Sequence, residues 1–508
     1  MISNCLLIGA LALLFSGPDM PEPEAVERYF PSRINTFYKP VKVEVSFKNA
    51  PAAEREWHTA KARIVRNIVG FTAGETTGTY VTGTNKYGSS LALPRQEATG
   101  RFHVKKIGAR WWIVDPGGYL HINRGVCSIR PGGCSNDSQA NFERFRRRFP
   151  DKTRWLEQTE KELTSIGFHC SGAFSALYYQ DYLQYNATHP EKPFILAPSF
   201  NFLAGFRDIA GNWPMGNERS KIGFVLLPEW EKWCEDYAMT VLSPYKGDPN
   251  TLGIFSDNEI EFVNVADGNE NLVLPYLLKD TGKVGKAARK WCEDNGINPD
   301  NPVETVSANR LFVRFAAEKY YKAVSEAIKE LDPGMLYLGS RLHGEPKLWK
   351  SIWEIAGKYC DIISVNYYGD WSADLKKGDG ERTPTKATRG AVPLWESWSG
   401  RPFLVTEFYT KGIEDSDLNN ESGAGMAVKN QTARAYAYQH FTLGLLEATN
   451  CVGWHWFKYQ DDEPEDNNYK GANKGLYDKD FHLYPILGRY MQELNIHTYK
   501  LIEFFDSH

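Results

Sequence analysis

Short apolar runs alternate along this chain with longer stretches whose apolar residues recur every three to four positions. The runs fall at Leu120–Ile129, Phe168–Phe174, Phe194–Phe200, Leu252–Ser256, Met335–Gly339, Ile362–Tyr368, Phe403–Phe408 and Cys451–Phe457. Runs of this length read as strands buried on both faces. Helical patterns lie between most of them, clearest at Thr153–Ile166, Glu229–Leu242, Ala308–Leu331 and Ala427–Ala448. Strands joined by helices predict βαβ units and a parallel sheet, and a count of eight points to an α/β fold of the (β/α)8 barrel type. A doubly wound open sheet is the architectural alternative.

The N-terminal part breaks this pattern. Residues 19–100 are polar and punctuated by proline, with strand-like pieces at Val41–Phe47 and Thr59–Val65. A hairpin signal follows, Phe102–Lys106 and Arg110–Val114 around Gly108, ending in Asp115-Pro116-Gly117-Gly118. The predicted organisation is a leader over 1–18, a small β-rich extension and hairpin over 19–118, and the barrel over 119–508. The hairpin is placed to cap the closed end of the barrel. In the leader, the apolar stretch Cys5–Phe15 precedes Ser16-Gly17-Pro18, which predicts a signal peptide and an exported protein, although no Lys or Arg precedes the stretch. No later run of 18 apolar residues occurs, so no membrane-spanning helix is expected.

Composition narrows the chemistry by exclusion. Lys and Arg number 59 against 63 Asp and Glu, a net charge of −4, which argues against a nucleic-acid partner. The eight cysteines show no CxxC or paired Cys/His spacing, so neither a structural zinc site nor a disulfide scaffold is expected. The acidic run Asp461–Asp466 lacks the EF-hand spacing and reads as a solvated loop. No P-loop, HExxH or Gly-x-Ser-x-Gly motif occurs. No metal and no cofactor are expected.

Two glutamates carry the positive evidence. Glu259 follows the run Leu252–Ser256, and Glu407 ends Phe403-Leu404-Val405-Thr406. A carboxylate at the end of a buried strand is a poor choice for stability, because burying its charge is costly. It is well placed for chemistry at the mouth of a barrel. By the strand count, Glu259 ends the fourth strand and Glu407 the seventh. Two such carboxylates suggest the acid and the nucleophile of a glycoside hydrolase. A structural carboxylate in a salt bridge or a helix cap is the bland reading of either one alone.

The blocks Arg101–Pro116, Arg124-Gly125-Val126, Phe255–Ile260, Val405–Gly412 and Gly453–Asp461 resemble glycoside hydrolase family 50, the β-agarases. The resemblance runs from about residue 100 to 490. It implies a retaining (β/α)8 barrel with Glu259 as general acid/base and Glu407 as nucleophile. Asn258 would hydrogen-bond the 2-hydroxyl of the reacting sugar. The implied substrate is agarose or its oligosaccharides, a polysaccharide partner, cut at β-1,4 bonds between D-galactose and 3,6-anhydro-L-galactose. Larger members carry a β-sandwich-like module before the barrel, for which this chain has little room. Three further residues are candidate sugar contacts. His343 and Tyr368 end the fifth and sixth strands, and Trp456 sits near the mouth on the eighth, able to stack on a sugar ring. Trp395 and Trp398 are candidates for widening the cleft. The rival readings are a related barrel acting on another β-galactoside or galactan, and a non-catalytic carbohydrate-binding protein.

Overall fold

The structure is a computed structural model that describes residues 37–47, 54–72, 83–131, 139–175, 179–210, 218–262, 272–373, 392–414, 416, 418–421, 423–462 and 471–507. The expected leader over 1–18 lies outside the described residues. Among them, no helix is long and apolar enough to cross a membrane.

The strands, in chain order, are β1 (Val41–Ser46), β2 (His58–Ala62), β3 (His103–Ile107), β4 (Arg110–Val114), β5 (Leu120–His121), β6 (Asn123–Val126), β7 (Cys170–Ser171), β8 (Ile195–Leu196), β9 (Ser199–Phe200), β10 (Gly253–Ser256), β11 (Leu336–Tyr337), β12 (Ile363–Asn366), β13 (Phe403–Glu407), β14 (Thr410–Gly412), β15 (Met426–Val428) and β16 (Cys451–Trp456). One parallel sheet has the order β12-β13-β16-β6-β7-β8, and a second has the order β11-β10-β9. Isolated parallel bridges link the two sheets, Leu196 of β8 with Thr251 just before β10, and Leu342 after β11 with Val365 of β12. Backbone hydrogen bonds continue across both junctions, from Leu252 N to Leu196 O at 2.9 Å and from Ser364 N to Leu338 O at 3.1 Å. The architecture is mixed α/β, with helices between the parallel strands.

Each expected apolar run contains a strand, and all four clearest helices form. Lys152–Ser165 and Trp230–Leu242 lie close to their predicted bounds, Pro302–Leu331 starts well before the expected Ala308, and Gln431–Glu447 starts after the expected Ala427, which lies in β15 instead. Three of them start on a side-chain cap that satisfies a free backbone N–H. Asp151 accepts from Arg154 N, Asn301 from Val303 N, and Asn430 from Ala433 N.

One apolar cluster draws side chains from many of the parallel strands, among them Cys170, Ile195, Phe255, Ile362, Leu404 and Val452. The β3–β4 hairpin adds Phe102 and Ile113 to this cluster. Trp111 N donates to Thr449 O at 2.8 Å, so the hairpin sits where β16 begins. The first two strands do not stand apart from the rest. They join a four-stranded sheet of order β14-β15-β1-β2, in which Val45 pairs with Val428. Alternation explains the side chosen. Val43, Val45, Ala60 and Ala62 face Trp371, Met426 and Val428 in one buried cluster.

Candidate active site

The chain leaves β10 through a strained turn. Asp257 has φ 57° and Glu259 has φ 54°. Non-glycine residues in the left-handed region cost roughly 1–3 kcal/mol each and collect at functional sites. Asp257 anchors the turn. Its carboxylate accepts from Leu203 N at 2.9 Å, at the start of the helix Phe202–Ala210, and from Tyr320 OH at 2.9 Å. Burial pushes its pKa up to about 7, against the downward pull of these hydrogen bonds.

Asn366, the last residue of β12, ties three strand ends together. Its Nδ2 donates to Glu259 Oε1 at 2.8 Å and to Asn258 Oδ1 at 3.1 Å. Its Oδ1 accepts the Thr406 hydroxyl at 2.8 Å, which fixes the amide orientation. Arg341, after β11, makes the second tie. Nη1 donates to Asn258 Oδ1 at 2.8 Å, and Nη2 donates to Glu407 Oε1 at 2.5 Å and to Thr406 O at 3.2 Å. Glu259, Asn258 and Glu407 therefore belong to one hydrogen-bonded group.

The two carboxylates differ in setting. The Glu407 side chain is 7% exposed, whereas that of Glu259 is 32% exposed. Burial raises the Glu407 pKa. The Arg341 charge lowers it, the nearby Glu259 charge raises it, and hydrogen bonds from Tyr368 and Arg341 lower it, with the net direction upward. Tyr368 OH donates to Glu407 Oε2 at 2.5 Å, so Arg341 and Tyr368 hold the two oxygens separately. His343 Nδ1 lies 3.8 Å from Glu259 Oε1. Burial lowers the His343 pKa, opposed by the Glu259 charge. Aromatic rings continue around Glu407. Tyr368 packs edge-on to His343 and Tyr409, Tyr409 lies 5.9 Å from Phe457, and Phe457 lies 6.3 Å from Phe174.

The structure thus brings together Asn258, Glu259, His343, Tyr368 and Glu407. It corrects the expectation for Trp456, which is 0% exposed and has no face for a sugar. Trp454 and Trp456 do share one side of β16, as alternation predicts. That side faces the helix Gln431–Glu447, where Trp456 meets Tyr438 and Phe408 and its Nε1 donates to Lys474 O. A strand buried on both faces carries no signal in its alternation for which face is inner. The inner side chain is His455, whose ring fills space left by Gly125 and Gly172, and whose Nε2 lies 2.7 Å from Asn123 Oδ1. The next residue, Phe457, is the one beside the site.

Two further expectations are corrected. Trp395 does not widen a cleft. It is fully buried in the helix Val392–Ser399 and stacks on Trp353 at 4.6 Å, while Trp398 packs partly buried against the core. Asp461 and Asp462 are not solvated. Asp461 accepts from Asn473, Gly475 N and Tyr484, and Asp462 is paired with Lys458 and Lys474. The remainder of that acidic run, 463–466, lies outside the described residues. Among the described residues, no group of three or more metal-ligating side chains is placed to hold an ion.

Sequence reasoning missed Arg341, Asn366 and Phe457. Arg341 and Asn366 carried a usable signal, since each is a polar residue at the C-terminal end of an apolar run, as the two glutamates are.

No family model matches the chain. The crystal structure of BpGH50 superposes with a TM-score of 0.79 at 39% identity, covering 92% of this chain and 96% of that one. The agarase AgWH50C shares the fold, with a TM-score of 0.63 at 19% identity over 82% of this chain and 66% of its own. β-Agarase B of Vibrio sp. (strain JT0107) is 24% identical over 488 residues, 77% of this chain and 47% of that protein. The chain therefore spans about half the length of this curated relative. It belongs to glycoside hydrolase family 50, as a β-agarase-like protein.

Proposed function

We propose that this chain is a retaining glycoside hydrolase on a closed (β/α)8 barrel. It cleaves β-1,4-galactosidic bonds in agarose or agaro-oligosaccharides. The two parallel bridges between the sheets support closure, as does one apolar cluster fed by strands of both. The reading assigns residues 119–508 to the barrel and 19–118 to the extension that precedes it. A polymeric substrate accords with an exported protein.

The observation that carries the catalytic reading is the network of Asn366 and Arg341, which fastens Glu259, Asn258 and Glu407 into one site at the ends of three parallel strands. Glu407 attacks the anomeric carbon while Glu259 protonates the departing oxygen. Water, deprotonated by Glu259, then opens the glycosyl–enzyme ester, so configuration is retained. The exposure of Glu259 suits a group that must meet both a leaving group and water. The buried, doubly hydrogen-bonded Glu407 suits a fixed nucleophile. Asn258 binds the 2-hydroxyl, His343 and Tyr368 line the reacting-sugar site, and Phe457 offers the aromatic face first sought at Trp456.

The test is incubation with agarose and sizing of the products, for wild type, Glu259→Gln and Glu407→Gln. Oligosaccharide release by wild type alone is expected. Release from porphyran or a plain β-galactoside, with none from agarose, would move the substrate to another galactan. Binding of agarose by all three with cleavage by none would make this a binding protein.

A further inference from the structure

Arg341 is a fully buried cation, and a buried charge is retained at a cost unless it is paired and hydrogen-bonded. Its backbone is also strained, with φ 56°. Its guanidinium carbon lies 4.8 Å from the ring centre of Phe174 and 5.7 Å from that of Phe255. Between these rings the planar group has little freedom. One of its terminal nitrogens reaches Glu407 and the other reaches Asn258. A rigid fork of donors serves two acceptors at once, which the single ammonium of lysine does not do with the same geometry.

The bond to Asn258 orients an amide. Asn258 Oδ1 accepts from both Arg341 and Asn366, at 2.8 and 3.1 Å. With its oxygen engaged twice, the amide presents its two N–H donors elsewhere. A sugar 2-hydroxyl at the reacting position needs such a donor.

We propose that Arg341 is a positioning residue. It turns the Asn258 amide so that its NH2 faces the 2-hydroxyl of the reacting galactose, and it holds Glu407 ionised and aimed at the anomeric carbon, without touching the substrate. This assignment rests on the hydrolase reading above. It adds a shared support that links the nucleophile to the 2-hydroxyl contact.

Two variants separate the two duties. Arg341→Met removes charge and fork, while Arg341→Lys keeps the charge and loses the fork. The Glu407 carboxyl is followed by carbon-13 NMR of protein labelled at glutamate Cδ, with its line assigned by its loss in Glu407→Gln. Its titration midpoint is expected to rise by about one pH unit or more in Arg341→Met and to return close to the wild-type value in Arg341→Lys. On substrates with and without the 2-hydroxyl on the reacting galactose, the kcat/KM penalty for its absence is expected to shrink by roughly tenfold in Arg341→Lys. An unmoved Glu407 midpoint in Arg341→Met overturns the first duty, and an undiminished 2-deoxy penalty in Arg341→Lys overturns the second. If Arg341→Met does not fold, the 2-deoxy comparison in Arg341→Lys decides. A wild type that turns over no β-galactoside defeats the hydrolase reading instead, and the titration, which needs no turnover, still judges the hold of Arg341 on Glu407.

Discussion

Tyr368 donates a 2.5 Å hydrogen bond to Glu407 Oε2, on the oxygen that Arg341 leaves free. The phenol is partly buried, and this burial followed by the Glu407 charge raises its pKa well above the ordinary tyrosine value. It therefore remains a donor throughout the working range. Its bond favours the ionised form of Glu407, so removing it pushes the carboxyl further up. Tyr368→Phe is expected to move the acidic limb of the kcat/KM profile to higher pH. A hydrogen bond to a charged group contributes about 1.5–3 kcal/mol, so the rate is expected to fall roughly 10- to 100-fold. An unchanged acidic limb would show that Tyr368 does not tune Glu407.

Asp257 predicts a stability effect with a definite sign. Its folded-state pKa is pushed from 3.8 to about 7. The folded state therefore binds this proton more tightly than the unfolded chain. The resulting stabilisation is complete below about pH 4, declines as pH rises and is gone above about pH 7. A shift of this size corresponds to ~4 kcal/mol at most. Asp257→Asn, which keeps an acceptor for Leu203 N, removes this contribution to the pH dependence. Thermal melts between pH 4 and pH 8 are expected to show a smaller decline for the variant than for wild type. Parallel curves would contradict the assignment.

Trp456 separates packing from binding. Its ring is wholly enclosed by Tyr438, Phe408 and neighbouring core groups. Trp456→Ala is expected to cost about 3–5 kcal/mol of stability by leaving a cavity. Trp456→Phe is expected to lower stability by a smaller amount and to leave KM for agaro-oligosaccharides near the wild-type value. A large rise in KM without loss of stability would return Trp456 to the sugar site.

The strand and helix pattern was legible because a parallel sheet covered on both faces demands continuous apolar runs, and each such run contains a strand. Glu259 and Glu407 stood out for a related reason, since a charge at the end of such a run has no packing explanation. The expectation that Trp456 stacks on a sugar failed because His455 and Trp456 are both buried, and burial alone does not tell the inner face from the helix-covered face. The solvated reading of Asp461 and Asp462 failed because, apart from the nearby Lys458, the partners that bury them, Lys474, Asn473, Gly475 and Tyr484, come from a later segment of the chain. Local spacing holds no trace of those contacts. A far larger separation hid the pairing of β1 with β15, nearly four hundred residues apart in sequence.

The central claim is that Glu259 and Glu407 act as a pair in double displacement. The most direct measurement is the anomeric configuration of the first product, followed by proton NMR during early turnover of a short agaro-oligosaccharide, before mutarotation. The account predicts that the new galactose reducing end appears first as the β-anomer, with no product from Glu407→Gln. Initial appearance of the α-anomer, or undiminished cleavage by Glu407→Gln, would contradict it.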